Sequence, residues 1–418
     1  MNRTTEAITG LAIGVAATVL NRLRLPSSSS DTMYAEDGAR FLHDALVNGP
    51  VALVTPYAGY QHFVPRVSAF VISSFAPVTT WANAMIWTAC AVVGVIAALV
   101  WWSTATLDLP LVSRLALAAI PVLAPVAGVE SIGNIGNVHW YFLYLMPWLL
   151  VTRPGGRTLS VLVAAVTFVG VITEIQTLLL APMAAYLLLK GRPQRLTGIA
   201  YGLGAIVQTL TYLTQGRSGG AGYPGPTAVL RGFLFNGFLG GASAHVGVNR
   251  QIVNAAGWTV IALACALLVA VTVGLLVQQP GLPRALAVVL PIAAIGSWSI
   301  AHIYNNYPSL NFESGPFKLA RWGTASAMLL WALVPLAFGT VDRRWLQWAS
   351  AVGLVALMGS SFVVPNSRHG IYWHTEIRRA QVECRTTAAN TARVKTLPPD
   401  WYFEIPCSAL RRQSQTGS

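Results

Sequence analysis

The feature that most constrains this chain is a succession of apolar runs, each close to the thickness of a bilayer. Residues 80–102, 256–277 and 284–303 are the clearest of them. A bilayer core takes about 20 apolar residues per helix, and only helices or closed barrels satisfy their backbone groups there. Further runs near 7–20, 110–128, 138–152, 158–173, 175–190, 196–214, 322–339 and 345–364 bring the expected total to about 11 spans. Composition agrees: 54% of residues are hydrophobic and only 10% are charged, which excludes a soluble domain of this length. The sequence therefore predicts an all-α, polytopic transmembrane helical bundle over residues 1–364, with a small tail over 365–418. The first run follows Arg3 and lacks a small-x-small cleavage site before Asn21 and Arg22, so it reads as an uncleaved first helix.

The connections sort by charge. Arg153 and Arg157, then Lys190, Arg192 and Arg195, then Arg284, then Arg343 and Arg344 fall in alternate short loops. The positive-inside rule assigns those loops to the cytoplasm. The opposite side receives segment 26–65, the loop from Glu130 to His139, Glu174, the Gly/Pro-rich loop 215–255, the loop 303–321 and the tail. The expected location is the cell membrane, with the N-terminus cytoplasmic and the C-terminus external. Arg22 and Arg24, at the outer end of the first helix, run against the rule.

The net charge of +13 comes almost wholly from arginine. These arginines are scattered over short loops and the tail and form no basic stripe, so the expected partners are membrane lipids and not nucleic acid. Cys90 and Cys265 fall within spans, whereas Cys384 and Cys407 share the tail. An external tail would hold the latter two as a disulfide, stapling a segment too small for an unaided core.

Chemistry-bearing residues concentrate in 26–65 and just beyond it, where Asp31, Glu36, Asp37, Arg40, His43 and Asp44 precede Tyr57, Tyr60, Gln61, His62 and Arg66. Phe41, Leu42, Ala45 and Leu46 repeat at helical spacing, which predicts an interfacial helix. Glu36 and Asp37 would sit at its first turn, either capping it or doing chemistry. A carboxylate there can take the proton of an attacking hydroxyl, and Arg66 or Arg321 can grip a phosphate with a planar fork. The same arginines, and the aromatic residues Tyr57 and Tyr60, also suit bilayer head groups and an interfacial belt. Glu130 with Asn137 and His139, Glu174, and His302 with Lys318 supply further polar groups at helix ends, where ionisable residues are costly and tend to be functional. The only acid between 158 and 190 is Glu174, which predicts a tight hairpin with Glu174 at its tip.

An acidic pair shortly after the first helix, in a loop that opens a short interfacial helix and precedes many spans, resembles the GT-C superfamily of membrane glycosyltransferases. The resemblance extends to Tyr57 through Arg66 and to Asn137, His139 and Trp140. It implies inverting transfer of a sugar from a polyprenyl-phosphate donor to a cell-envelope or lipid-linked glycan acceptor on the external face. It also implies that Asp37 is the general base and Glu36 its orienting partner or a metal contact, or the reverse, with Mg²⁺ or Mn²⁺ as a possible cofactor. A transporter or flippase of lipid-linked sugars would share the architecture, but no internal repeat is evident and the charges avoid mid-span positions. A non-catalytic scaffold acting through its tail is the third class. No GxxxxGK[ST], HExxH or paired CxxC pattern occurs, so nucleotide-driven and zinc-helix chemistries have no support.

Overall fold

The computed structural model describes residues 3–190, 194–216, 225–305, 320–363 and 370–412. It is mostly helical, and six helices are long and apolar enough to cross a membrane: Thr4–Leu23, Val78–Leu107, Arg195–Gln215, Val246–Val277, Leu282–Ile303 and Arg321–Gly339. Their burial ranks them from edge to centre. Only 17% of the first window is enclosed, against 89% for Arg321–Gly339, which is the hub of the bundle. Leu263, Leu267 and Val271 repeat along the exposed face of Val246–Val277, as a surface turned to hydrocarbon requires.

The other expected spans form shorter helices. The run 110–128 is helical over Leu111–Leu123 and breaks before a single further turn at Ala127–Glu130. Ala124 leaves the helical region because it precedes Pro125, whose ring disfavours an α conformation at the residue before it. The run 138–152 becomes His139–Val151, in which every side chain is buried by protein. The runs 158–173 and 175–190 are separated at Glu174, whose extended backbone ends the helix Arg157–Thr173 and opens a 3₁₀ turn at Ile175–Leu180. Helix Val246–Val277 is broken at Gly257, with φ at +76°, so its apolar part starts where expected.

Helices in lipid gain little from hydrophobicity and rely on close packing of small residues. Helix Trp81–Thr104 meets Arg3–Leu23 in this way: a Cβ placed on Gly94 would lie 2.4 Å from the Gly14 carbonyl oxygen. The arginines that run against the positive-inside rule have a structural explanation. Arg24 is buried, and its guanidinium donates to the carbonyls of Val122, Ala124 and Phe362, tying three chain segments together. Arg22 lies over the Trp87 ring at 5.8 Å.

The tail departs from an all-α fold. Helix Trp373–Thr386 packs on a two-stranded antiparallel sheet, β1 (Thr391–Thr396) and β2 (Trp401–Pro406), in a register running from Thr391 opposite Pro406 to Thr396 opposite Trp401. Ala392, Val394 and Thr396 point inward from β1 and Phe403 and Ile405 from β2, the period-two alternation of a half-buried strand. Cys384 and Cys407 form the expected disulfide and join the end of the tail helix to the end of β2.

The tail is clamped onto the first loop. Trp373 donates its backbone N–H to Asp31 and its indole N–H to Val78, each at 2.7 Å, and stacks on Phe403. Leu397 donates its N–H to Met33 and accepts from the Ala35 N–H, so both flanks of Tyr34 are fixed by the tail. Gly38 permits this contact, because a Cβ there would lie 2.7 Å from Met33 Cγ and 3.2 Å from Phe403 Cε1.

Candidate active site

The interfacial helix expected after Glu36 is present, as a π-helical turn over Asp37–Leu42 that continues as an α-helix over His43–Asn48. Single π-helical turns concentrate at functional sites because they re-aim side chains relative to the helix axis. The two neighbouring acids go in different directions. Asp37 is buried, and its two carboxylate oxygens accept the backbone N–H groups of Ile135 and Gly136 at 3.1 and 2.8 Å. It anchors the turn at residues 134–138 and does not line the cavity described below. Glu36 does line that cavity, and its Oε1 lies 3.9 Å from Nη1 of Arg321.

The cavity measures about 290 Å³, near the small end of ligand pockets. Its wall brings together most of the predicted residues: Glu36, Tyr57, Tyr60, His62, Asn137, His139, Trp140, Glu174 and Arg321. Phe41, Trp322 and Trp401 also face it, although no sequence motif marks them. Trp401, from the start of β2, makes the tail part of the wall. Glu130 stands behind the wall, where its carboxylate accepts the Arg321 backbone N–H at 3.2 Å and holds the start of the central helix.

Beside Asp37 and Glu130, two further predicted residues do not join the wall. Arg66 is fully buried in an ion pair with Asp44 and lies over the Phe41 ring, so its fork is committed inside the protein and is not a phosphate anchor. His302 is buried between Trp298 and Trp322 and is separated from the cavity by Ala301 and Trp322, which line it. Lys318 lies outside the described residues.

The turn that carries Tyr57, Tyr60 and His62 is strained. Tyr57 and Tyr60 exchange backbone hydrogen bonds across Ala58 and Gly59, both at positive φ. Of the four described non-glycine residues with positive φ, Ala35 and His62 flank the acidic and aromatic segments and Ala58 lies between Tyr57 and Tyr60. Such conformations cost roughly 1–3 kcal/mol each and persist where surrounding structure imposes them, often at functional sites. The reward here is a compact aromatic group: Tyr60 stacks on His62 at 3.7 Å, and the His62 and His139 rings meet edge-on at 5.6 Å.

His139 Nδ1 is hydrogen-bonded to the Glu174 carboxylate, and both side chains are buried. Glu174 Oε1 also accepts the Gln176 N–H at 2.6 Å, which holds the carboxylate in place. With Nδ1 occupied, Nε2 is the ring nitrogen left to meet a ligand. Trp140 and Gln176 also line the cavity, but the indole N–H of the first and the amide oxygen of the second are turned away from it, buried and without a hydrogen-bond partner among the described residues.

A second cavity of about 350 Å³ adjoins the first and shares Ala58, Tyr60, Ile175, Gln176 and Ala301 with it. Its remaining wall is Leu178, Leu179, Tyr212 and Ile300, an almost wholly apolar surface. The polar chamber and the apolar cavity therefore adjoin across a shared stretch of wall. No group of three or more His, Cys, Asp or Glu side chains converges on one point among the described residues, and Glu36 and Asp37 do not form a shared metal clamp. No protein-family model, curated protein or solved structure matches this chain.

Proposed function

We propose that the chain is an integral membrane glycosyltransferase that moves a sugar from a polyprenyl-phosphate donor to a cell-envelope or lipid-linked glycan acceptor on the external face of the cell membrane. The observation that carries this reading is the junction of the two cavities. A polyprenyl phosphate has an apolar tail, an anionic joint and a polyhydroxylated head. The apolar groove suits the first, Arg321 the second, and the chamber lined by Asn137, His139 and Trp140 the third. Arginine suits the phosphate because its planar fork can meet two oxygens at once.

Glu36 is the acid that lines the chamber, and in this reading it is the general base. The acceptor hydroxyl oxygen attacks the anomeric carbon while its proton passes to the Glu36 carboxylate. The bond from that carbon to the phosphate oxygen breaks, and its electron pair leaves on the polyprenyl phosphate, whose charge Arg321 offsets. Attack opposite the departing phosphate inverts the anomeric centre. Asp37 acts at one remove, by holding the 134–138 turn that presents Asn137. His139, oriented by Glu174, offers Nε2 to a sugar hydroxyl.

The test is transfer by purified protein in proteoliposomes carrying radiolabelled polyprenyl-phosphate hexoses and an envelope-glycan extract. Wild type should move label into the glycan, and Glu36→Gln should lower the rate by about 100-fold or more, the usual contribution of a general base. Label that crosses the bilayer with its sugar–phosphate bond intact would instead establish transport.

A further inference from the structure

We propose that Trp401 forms the acceptor subsite, so that the tail supplies the surface on which a pyranose ring of the acceptor glycan rests. This rests on the glycosyl-transfer reading and deepens it. The two ends of the polar chamber differ. At one end it merges with the apolar groove through Tyr60, Ile175 and Ala301, which is where a lipid-linked donor must keep its phosphate. Trp401 takes no part in that groove. It lines the polar chamber alone, delivered by a segment that is not a membrane helix.

The indole is held firmly enough to act as a platform. Trp401 packs against Tyr34, Ala35 and Leu397, a small cluster distinct from the main core, and its backbone N–H bonds the Pro398 carbonyl at 2.9 Å. It is half-buried, so the cluster covers part of the ring and the rest faces the chamber. The same cluster includes Ala35, the residue before Glu36, which therefore ties the platform to the acid. A flat, fixed aromatic surface beside a base recognises the apolar C–H face of a pyranose, whose hydroxyls project sideways toward hydrogen-bonding groups. An acceptor resting on Trp401 would present a hydroxyl to Glu36 inside the chamber that both residues line.

Two measurements test the subsite separately from the chemistry. In saturation-transfer NMR of the full chain in nanodiscs with methyl α- and β-hexopyranosides and short hexose oligomers, wild type should saturate the C–H protons of one ring face in at least one probe. Trp401→Ala should abolish that signal and Trp401→Phe should retain it, with Cys384–Cys407 bond formation and thermal melting as checks that the tail still folds. In the proteoliposome assay, Trp401→Ala should raise the KM for acceptor about tenfold or more and leave the KM for donor within about twofold. Wild type that saturates none of the probes, or a Trp401→Ala variant whose donor KM rises in step with its acceptor KM, would overturn the subsite. Saccharide binding that depends on Trp401 without any transfer by wild type would uphold the subsite and refute the transferase reading.

Discussion

The different fates of the two neighbouring acids give the sharpest prediction. Asp37→Asn keeps one oxygen but turns an NH₂ group toward a backbone N–H that now has an acceptor, either Ile135 or Gly136. A hydrogen bond to a charged group contributes about 1.5–3 kcal/mol, and an unmet buried donor costs about 1–3 kcal/mol. Because the site is 2% exposed, water cannot repair the loss, and the expected destabilisation is about 3 kcal/mol. Glu36→Gln removes a charge from a side chain that faces a cavity, so its stability cost should be within about 0.5 kcal/mol. Unfolding of the full-length protein in one detergent, followed by tryptophan fluorescence at a fixed scan rate, should show a drop of a few degrees for Asp37→Asn and about none for Glu36→Gln. The activity ranking should be reversed in severity at low temperature: Glu36→Gln inactive, Asp37→Asn impaired but measurable. An Asp37→Asn protein as stable as wild type and devoid of transfer would refute this reasoning and return the base to Asp37.

Other outcomes follow from the tail. Replacing Cys384 and Cys407 by serine opens a loop with a sequence separation of 23, which on chain entropy should cost the tail about 3 kcal/mol, measurable as faster amide exchange in β1 and β2. Gly38→Ala should lift the tail from the first loop, exposing Trp373 to quenchers while the membrane helices melt as in wild type. Burial alone would raise the Glu376 carboxyl, but hydrogen bonds from the Arg379 guanidinium and the Lys395 backbone N–H, with both charges, outweigh it and hold the pKa below the usual range. A depressed carboxylate adds stability above its unfolded pKa, roughly 4.3, and loses it as pH falls through the folded value. Exchange protection of β1 should therefore be level from neutral pH down to about 5 and fall below about 4. Glu376→Gln should lower protection at neutral pH and remove this contribution to the pH dependence.

What the sequence made legible was whatever repeats with a period or carries a charge. Apolar runs located every described bundle helix discussed above, and the polar clusters at Glu36, His139, Glu174 and Arg321 meet in one cavity as their shared side predicted. Run length was less informative than run position, because a helix such as His139–Val151, enclosed wholly by protein, does not need the length a lipid-facing span needs. The partners of Arg66 and Asp37 were not legible for one reason: spacing shows that a charge is present but not whether a backbone amide or an opposite charge already answers it. The strands of the tail and the arrival of Trp401 were invisible, since they depend on a contact between distant parts of the chain.

That contact has a consequence for biosynthesis. The backbone carbonyl of Glu404 meets His43 across 361 residues, and Leu397 and Trp401 close around Ala35 over a comparable interval. At about 5–20 residues per second, a ribosome needs on the order of 20 to 70 s to travel that far. Throughout that time the helices can insert and assemble around an unfinished chamber whose acid-bearing loop lacks its clamp from the tail. The last segments to emerge are the ones that close the wall, so a chain interrupted near its end would settle in the bilayer as a well-packed bundle and remain functionally incomplete.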